Sequence, residues 1–149
     1  MSPRSPAAGI VLVLLAATAS AQQPLAAGRI KVASGGSFII RGGARVPAQA
    51  GQVVFESDSL QTGADGRLGM TLKDETRVSL GPGSEVRLDR VAFAPADGHL
   101  GFVLTIIRGV VAYVSGRIAK LAPDSIRLET PSAVVGVRGT TLAIRVVPQ

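Results

Sequence analysis

From Arg29 onward the chain alternates in twos. In "RLGMTLK", Leu68, Met70 and Leu72 fall on one side of an extended segment, with Arg67, Gly69, Thr71 and Lys73 on the other. "TRVSLGPGSEVRLD" repeats the arrangement with Val78 and Leu80, breaks at Gly81, Pro82 and Gly83, and resumes with Val86 and Leu88 opposite Arg87 and Asp89. Successive side chains of a strand point to opposite faces, so this alternation predicts half-buried strands. Helical spacing is hard to find anywhere. The rhythm predicts strands near 29–33, 37–41, 52–56, 67–73, 76–80, 85–92, 101–107, 110–115, 125–129, 133–138 and 140–147. Turn residues recur every 8 to 12 positions or so, the spacing of all-β folds. The expected fold class is therefore all-β: a single domain of short antiparallel or wrapped strands, with sandwich, roll and solenoid-like arrangements equally compatible with the pattern. "APADGHLG", 94–101, reads as an exposed loop splitting the domain into two halves, and "AKLAPDS", 119–125, as a second connection.

Ahead of this pattern stands a different kind of segment. "MSPRSPAAGIVLVLLAATASAQQ" has Arg4 before an uncharged run, and closes on the small triplet Ala19, Ser20 and Ala21. The run is shorter than the roughly 20 apolar residues a spanning helix needs, and it ends in a processing-type site. Residues 1–21 are thus expected to be a secretory signal peptide, and 22–149 the β domain. No later apolar run is long enough to cross a bilayer as a helix, so no membrane span is expected after removal of the leader. Export to the periplasm is the expected destination, with the extracellular space as the alternative. With 0 Cys, both a lipid anchor at the cleavage site and disulfides are excluded.

Composition then narrows the chemistry. The chain has 16 Lys+Arg against 10 Asp+Glu, but its aromatic content is 3% and it has no Trp. Nucleic acid is not an expected partner, because an exported chain with so few rings offers no stacking platform for bases. The basic residues stand singly along the strands, which fits a solvated face; the sharper reading is attraction to an anionic envelope glycan or an acidic partner. One histidine, His99, sits in a loop with no nucleophile elbow around it, and no thiol exists. "ESDSLQTGADG" brings Glu56, Asp58 and Asp65 near glycines, but not at EF-hand spacing, so they read as turn residues. The Gly-Gly pairs at 35–36 and 42–43 precede strands rather than helices, and so read as turns, not phosphate cradles. No metal and no cofactor are expected.

The stretch "TPSAVVGVRGTTLAIRV" carries the one irregularity in the alternation. Ala133, Val135 and Val137 share one parity, whereas Thr140, Leu142, Ile144 and Val146 share the other. A slip of one residue would send an apolar set to the wrong face, so the chain must absorb it in a bulge or tight turn. Gly139 can take the left-handed backbone such a device often needs. Arg138 is expected to point to solvent or to be held by a carboxylate such as Glu129, or else to read an anionic partner.

"ETPSAVVGVRGTTLAI" resembles the Thr-Pro-x-Ala-x-x-Gly-Val-Arg-Gly-Thr signature of the FecR-like periplasmic domain, named after the ferric-citrate regulator. Upstream, "VVFESDSLQTGADGRLGMTLKDETRVSLGPGSEVRL" is similar to that family's Gly-Asp, Thr-Gly, Asp-Gly-Ser and Pro-x-Ser progression, and "LTIIRGVVAYVSG" to its central strand pair. The resemblance marks Thr130, Pro131, Gly136, Val137, Arg138, Gly139 and Thr140 as family-motif residues, structural and open to partner contact. Two departures stand out: Ser57-Asp58 replaces Gly-Asp, and Asp74-Glu75-Thr76 replaces Asp-Gly-Ser. The family's best-known members join the domain through a membrane helix to a cytoplasmic segment that controls a sigma factor. This sequence shows neither, so transmembrane signalling is not expected to carry over.

The resulting expectation is an exported, non-enzymatic binding module that works in envelope signalling or assembly through contacts with an envelope protein or an anionic glycan. The alternatives are a structural envelope subunit and, less favoured, a carbohydrate-active enzyme using carboxylates such as Asp65 and Asp74. The oligomeric state is left open.

Overall fold

A computed structural model describes residues 2–3, 24–139 and 141–148. The expected leader, apart from residues 2–3, and Thr140 lie outside the described residues. The described chain forms β1 (Ala26–Ser34), β2 (Ser37–Arg41), β3 (Ala44–Pro47), β4 (Val53–Phe55), β5 (Ser59–Thr62), β6 (Arg67–Leu72), β7 (Arg77–Leu80), β8 (Glu85–Ala94), β9 (His99–Val114), β10 (Ile126–Glu129), β11 (Val134–Gly136) and β12 (Thr141–Val146), with a five-residue helix α1 (Arg117–Leu121) before β10. The fold is all-β. Of the arrangements open at the sequence level, it is the roll: one curled sheet, with strand order β3-β2-β5-β8-β9-β7-β6-β1-β4.

The 16-residue strand β9 belongs to both ends of that sheet. Its first part, His99–Arg108, pairs with β8, and Phe102–Thr105 also lies parallel to β10, which in turn carries β11. Its last part pairs with β7 at Val111–Val114 and with β12 at Gly109–Val114. Two halves result: a β8 half (β3, β2, β5, β8, β10 and β11 with the start of β9) and a β6 half (β4, β1, β6, β7 and β12 with the end of β9).

The inward positions of both halves meet in one core. Ile30, Met70, Val78 and Tyr113 face Ile39, Leu60, Leu88 and Leu104 within a single apolar cluster. The predicted parities of β6, β7 and β8 hold, since Leu68, Met70, Leu72, Val78, Leu80, Val86 and Leu88 are all buried. Truncating any of the large members to Ala would cost about 2–5 kcal/mol through lost burial and the cavity left behind.

Several expectations are corrected. The segments 101–107 and 110–115 are one strand, not two: the gap between them lies inside β9, where Gly109 has φ +92° and the register against β8 shifts between Ile106 and Arg108. A Cβ at Gly109 would lie 2.2 Å from Ser84 Oγ, and the Ser84 hydroxyl accepts from Val110 N at 2.9 Å and donates to Val110 O at 3.1 Å. The loop at 94–101 does not divide the domain. It is a 3-10 turn, Pro95–Asp97, closing a hairpin in which Ala94 pairs with His99. The connection at 119–125 contains most of α1. Strands β3 and β5 were not expected. β3 is exposed along its whole length and so shows no alternation, and β5 turns Thr62 inward, a polar residue.

Candidate interaction site

The motif segment divides into a turn, an edge strand and a crossing. Thr130 and Pro131 belong to the tight connection between β10 and β11. The Thr130 hydroxyl accepts from Ala133 N at 3.0 Å, and Thr130 N donates to Ala133 O at 2.8 Å. β11 then pairs only with β10, Arg127 opposite Gly136 and Glu129 opposite Val134, so its other side is an open edge among the described residues. After Gly136 the chain leaves the β8 half, buries Val137, and enters the β6 half as β12.

The phase change is therefore real but larger than a bulge. Val135 and Val137 turn inward, as do Leu142, Ile144 and Val146, and between them the chain crosses from one half of the sheet to the other. Gly139 has φ +52°, the left-handed backbone expected of it. β12 is an edge strand whose apolar residues are only partly buried, so it is less of a core strand than its composition implies.

Arg138 is exposed and pairs with Asp124 at 3.1 Å, both side chains more than 80% accessible. Its partner is Asp124, not Glu129, and a pair so exposed contributes about 0–1 kcal/mol. Glu129 instead lies near Arg87, whose guanidinium Asp89 chiefly holds above its ordinary pKa, with a smaller push from Glu129.

Val134, Gly136, Val137 and Arg138 line a hollow of about 490 Å³ with Asp124 and Arg127. Gly139 and Thr141 line a second, of about 420 Å³, with Gly116 and Lys120. A Cβ at Gly136 or at Gly139 would find nothing within 4 Å, but Gly136 differs in that its φ is not left-handed. The fold does not require a glycine at 136. Glycine in a strand with free space beside it is what close approach by another chain demands. Val134 is 64% exposed on the same strand.

The acidic residues considered for metal or acid-base chemistry are dispersed into structural work. Asp58, 2% exposed, accepts from Arg41 Nε at 2.9 Å and Nη2 at 2.7 Å, and from Phe55 N at 2.9 Å, while Arg41 lies over the Phe55 ring at 4.6 Å. This pairing raises the Arg41 pKa. Glu56 accepts from Val91 N at 2.7 Å, and Asp65 from Gly36 N at 3.2 Å. Asp74 is fully buried: it accepts from Thr76 N at 3.0 Å, the Thr76 hydroxyl at 2.7 Å and Ile118 N at 3.2 Å, while its backbone oxygen accepts from Arg117 N at 2.7 Å. Asp65 and Asp74 sit at opposite ends of β6, about 20 Å of strand apart. Among the described residues no group of three metal-ligating side chains occurs. His99 is exposed at the start of β9.

Both departures from the family pattern fall on left-handed backbone. Ser57 has φ +71° and Glu75 has φ +72°, at the positions where the pattern places glycine. The Asp74-Glu75-Thr76 turn keeps its shape because Asp74 and Thr76 supply the hydrogen bonds that tie it to α1. Sequence reasoning missed this tie, and also the pairing of exposed Arg41 with buried Asp58. The Asp-x-Thr spacing, a side chain bonding the amide two residues on, was the available signal for the first.

Comparison with known proteins gives one match. The model of the family described as FecR protein matches residues 58–149, more than half of the chain. No curated protein and no solved structure matches. Strands β1 to β4 precede the matched region, yet Ala27, Ile30, Ile39 and Val54 lie in the same core as its residues.

Proposed function

Because the chain belongs to the FecR family, we propose that it is an exported, non-enzymatic module that acts in envelope signalling by binding another envelope protein at the open edge of β11. The family takes part in envelope signalling, and a domain without a spanning helix among its described residues contributes to it through association. The observation that carries the reading is Gly136: an edge strand with an exposed Val134 and a glycine that neither backbone conformation nor packing requires. Strand addition uses such an edge, main-chain hydrogen bonds giving affinity and the flanking side chains specificity. Arg127 beside the hollow, where Arg138 is already opposed by Asp124, favours an acidic residue next to the incoming strand.

The test is capture from envelope extract by the mature chain, with Gly136→Val as the paired variant. Recovery of a defined partner that Gly136→Val loses, at an unchanged thermal midpoint, supports the reading. No defined partner, or equal recovery by the variant, sinks it. Concentration-dependent oligomers in light scattering would instead favour a structural subunit that pairs its own edges.

A further inference from the structure

The two halves of the sheet carry charge differently on their outward faces. Strands β1, β4, β6, β7, β12 and the end of β9 contain no Asp or Glu at all. Register places their cations on one surface. Arg29, Thr71, Arg77, Val114 and Thr141 form one transverse row. Arg67, Val110 and Arg145 belong to another, two residues beyond a middle row of Val32, Gly69, Ser79, Ala112 and Ala143. All four arginines are exposed, and none forms an ion pair among the described residues. Arg29 donates to Gly51 O at 3.0 Å. Asp65 and Glu75 stand in the turns at either end of β6.

Between these rows the surface is low, with a hollow of about 310 Å³ lined by Val32, Arg67, Gly69, Ser79 and Ala112. A second, of about 290 Å³, lies at the outer side of the Arg29 row and is lined by Arg29, Lys31, Thr71 and Lys73. No carboxylate lines either. Gly69 lies in mid-strand without a left-handed φ, and a Cβ there would meet Val32 Cβ at 3.7 Å and Ser79 Oγ at 3.9 Å, ordinary contact. The sheet would accept a side chain at this position, and glycine in a strand interior weakens it. Its presence keeps the floor open.

We infer that the outward face of the β6 half binds a linear acidic polysaccharide, laid across the low middle row with its carboxylates or sulfates meeting the framing cations. Strand spacing and rise put neighbouring arginines of the frame about 10–15 Å apart at Cα. They surround the floor rather than converge on it, which suits a chain with charges at intervals better than a single small anion. A protein partner would want large apolar or aromatic anchors, and Val32 is the one large exposed apolar residue on this face. Nucleic acid would want stacking rings. Tyr113 is buried, and Phe55 on the border strand is covered by Arg41. This surface is separate from the β11 edge, so each can fail alone.

The experiment titrates the mature protein with fluorescent polygalacturonate at several salt concentrations, with uncharged dextran, polyglutamate and single-stranded DNA alongside. Polygalacturonate is expected to bind in preference to the other three, with affinity falling as salt rises. Arg77→Gln with Arg145→Gln should weaken binding about tenfold and flatten the salt slope by about one per arginine removed. Arg45→Gln with Arg90→Gln, an equal charge change on the β8 half, should leave binding unchanged. Gly69→Thr should weaken binding while the thermal midpoint holds or rises. Equal weakening by the two double variants would reduce the effect to net charge and overturn the site. Binding of DNA, polyglutamate or dextran as tight as that of polygalacturonate, or no binding at all, would overturn the ligand.

Discussion

In the β8 half, three arginines stand next to acids: Arg41 on Asp58, Arg87 on Asp89 at 2.5 Å, and Arg108 on Glu85 at 3.5 Å, while Arg45, Arg90 and Arg127 form no ion pair among the described residues. In the β6 half the strand arginines have no such neighbours, and the one buried acid, Asp74, is spent on backbone amides and a hydroxyl. The same curled sheet thus presents one face of mixed charge, partly neutralised in pairs, and one face whose strands carry cations alone. Neutralised pairs on a surface need no partner beyond water, whereas unopposed cations set a long-range attraction for anions that salt screens. The contrast teaches that the fold sorts the acids rather than the cations: both halves carry arginines on their strands, whereas carboxylates occur on strands of the β8 half alone.

The largest expected effect tests the paired side. Asp58→Ala removes the acceptor of two Arg41 bonds and strands the Phe55 amide at a buried position, and should lower unfolding free energy by about 3 kcal/mol in urea denaturation. Arg77→Ala in the other half should change it by less than about 0.5 kcal/mol. Similar small changes for both would erase the distinction between the halves.

Asp74→Ala should also cost about 3 kcal/mol, because it strands buried donors of Thr76 and Ile118. Loss of helical signal from α1 before the sheet melts would show the tie directly. Smaller in size and opposite in sign, Ser57→Gly and Glu75→Gly should each raise stability by about 1 kcal/mol, since each relieves a non-glycine residue in left-handed backbone. Thermal melts of the two single variants and the double would check this, and additivity is expected because the two turns lie apart. Gly139→Ala should lose about 1 kcal/mol for the converse reason. Smallest of all, Arg138→Ala should fall within about 0.5 kcal/mol of the parent, its Asp124 pair being exposed.

The alternation of Leu68, Met70 and Leu72, and of Val78, Leu80, Val86 and Leu88, was legible because each has one dry and one wet face. β3 was not, since Ala44–Pro47 is wet on both, and β5 was not, since its inward Thr62 is held by hydrogen bonds, donating to Gly81 O at 2.6 Å. The gap left between 101–107 and 110–115 is not in the fold, because glycine both ends strands and sits within them at irregular points, as Gly109 does inside β9. At the candidate site, parity located the jog at Gly139, but not that the chain changes halves there. The cationic face was invisible in linear order: Arg29, Arg67, Arg77 and Arg145 are widely separated along the chain, and only pairing through β6, β7 and β9 makes them neighbours.

The shared strand β9 carries a further implication for how the module lives and dies. Each half borrows its central ribbon from the other, so a protease cut at Gly109 would leave two incomplete ribbons, not two smaller domains. Melting should accordingly be a single event, and a fragment ending at Arg108 should be cleared rather than retained.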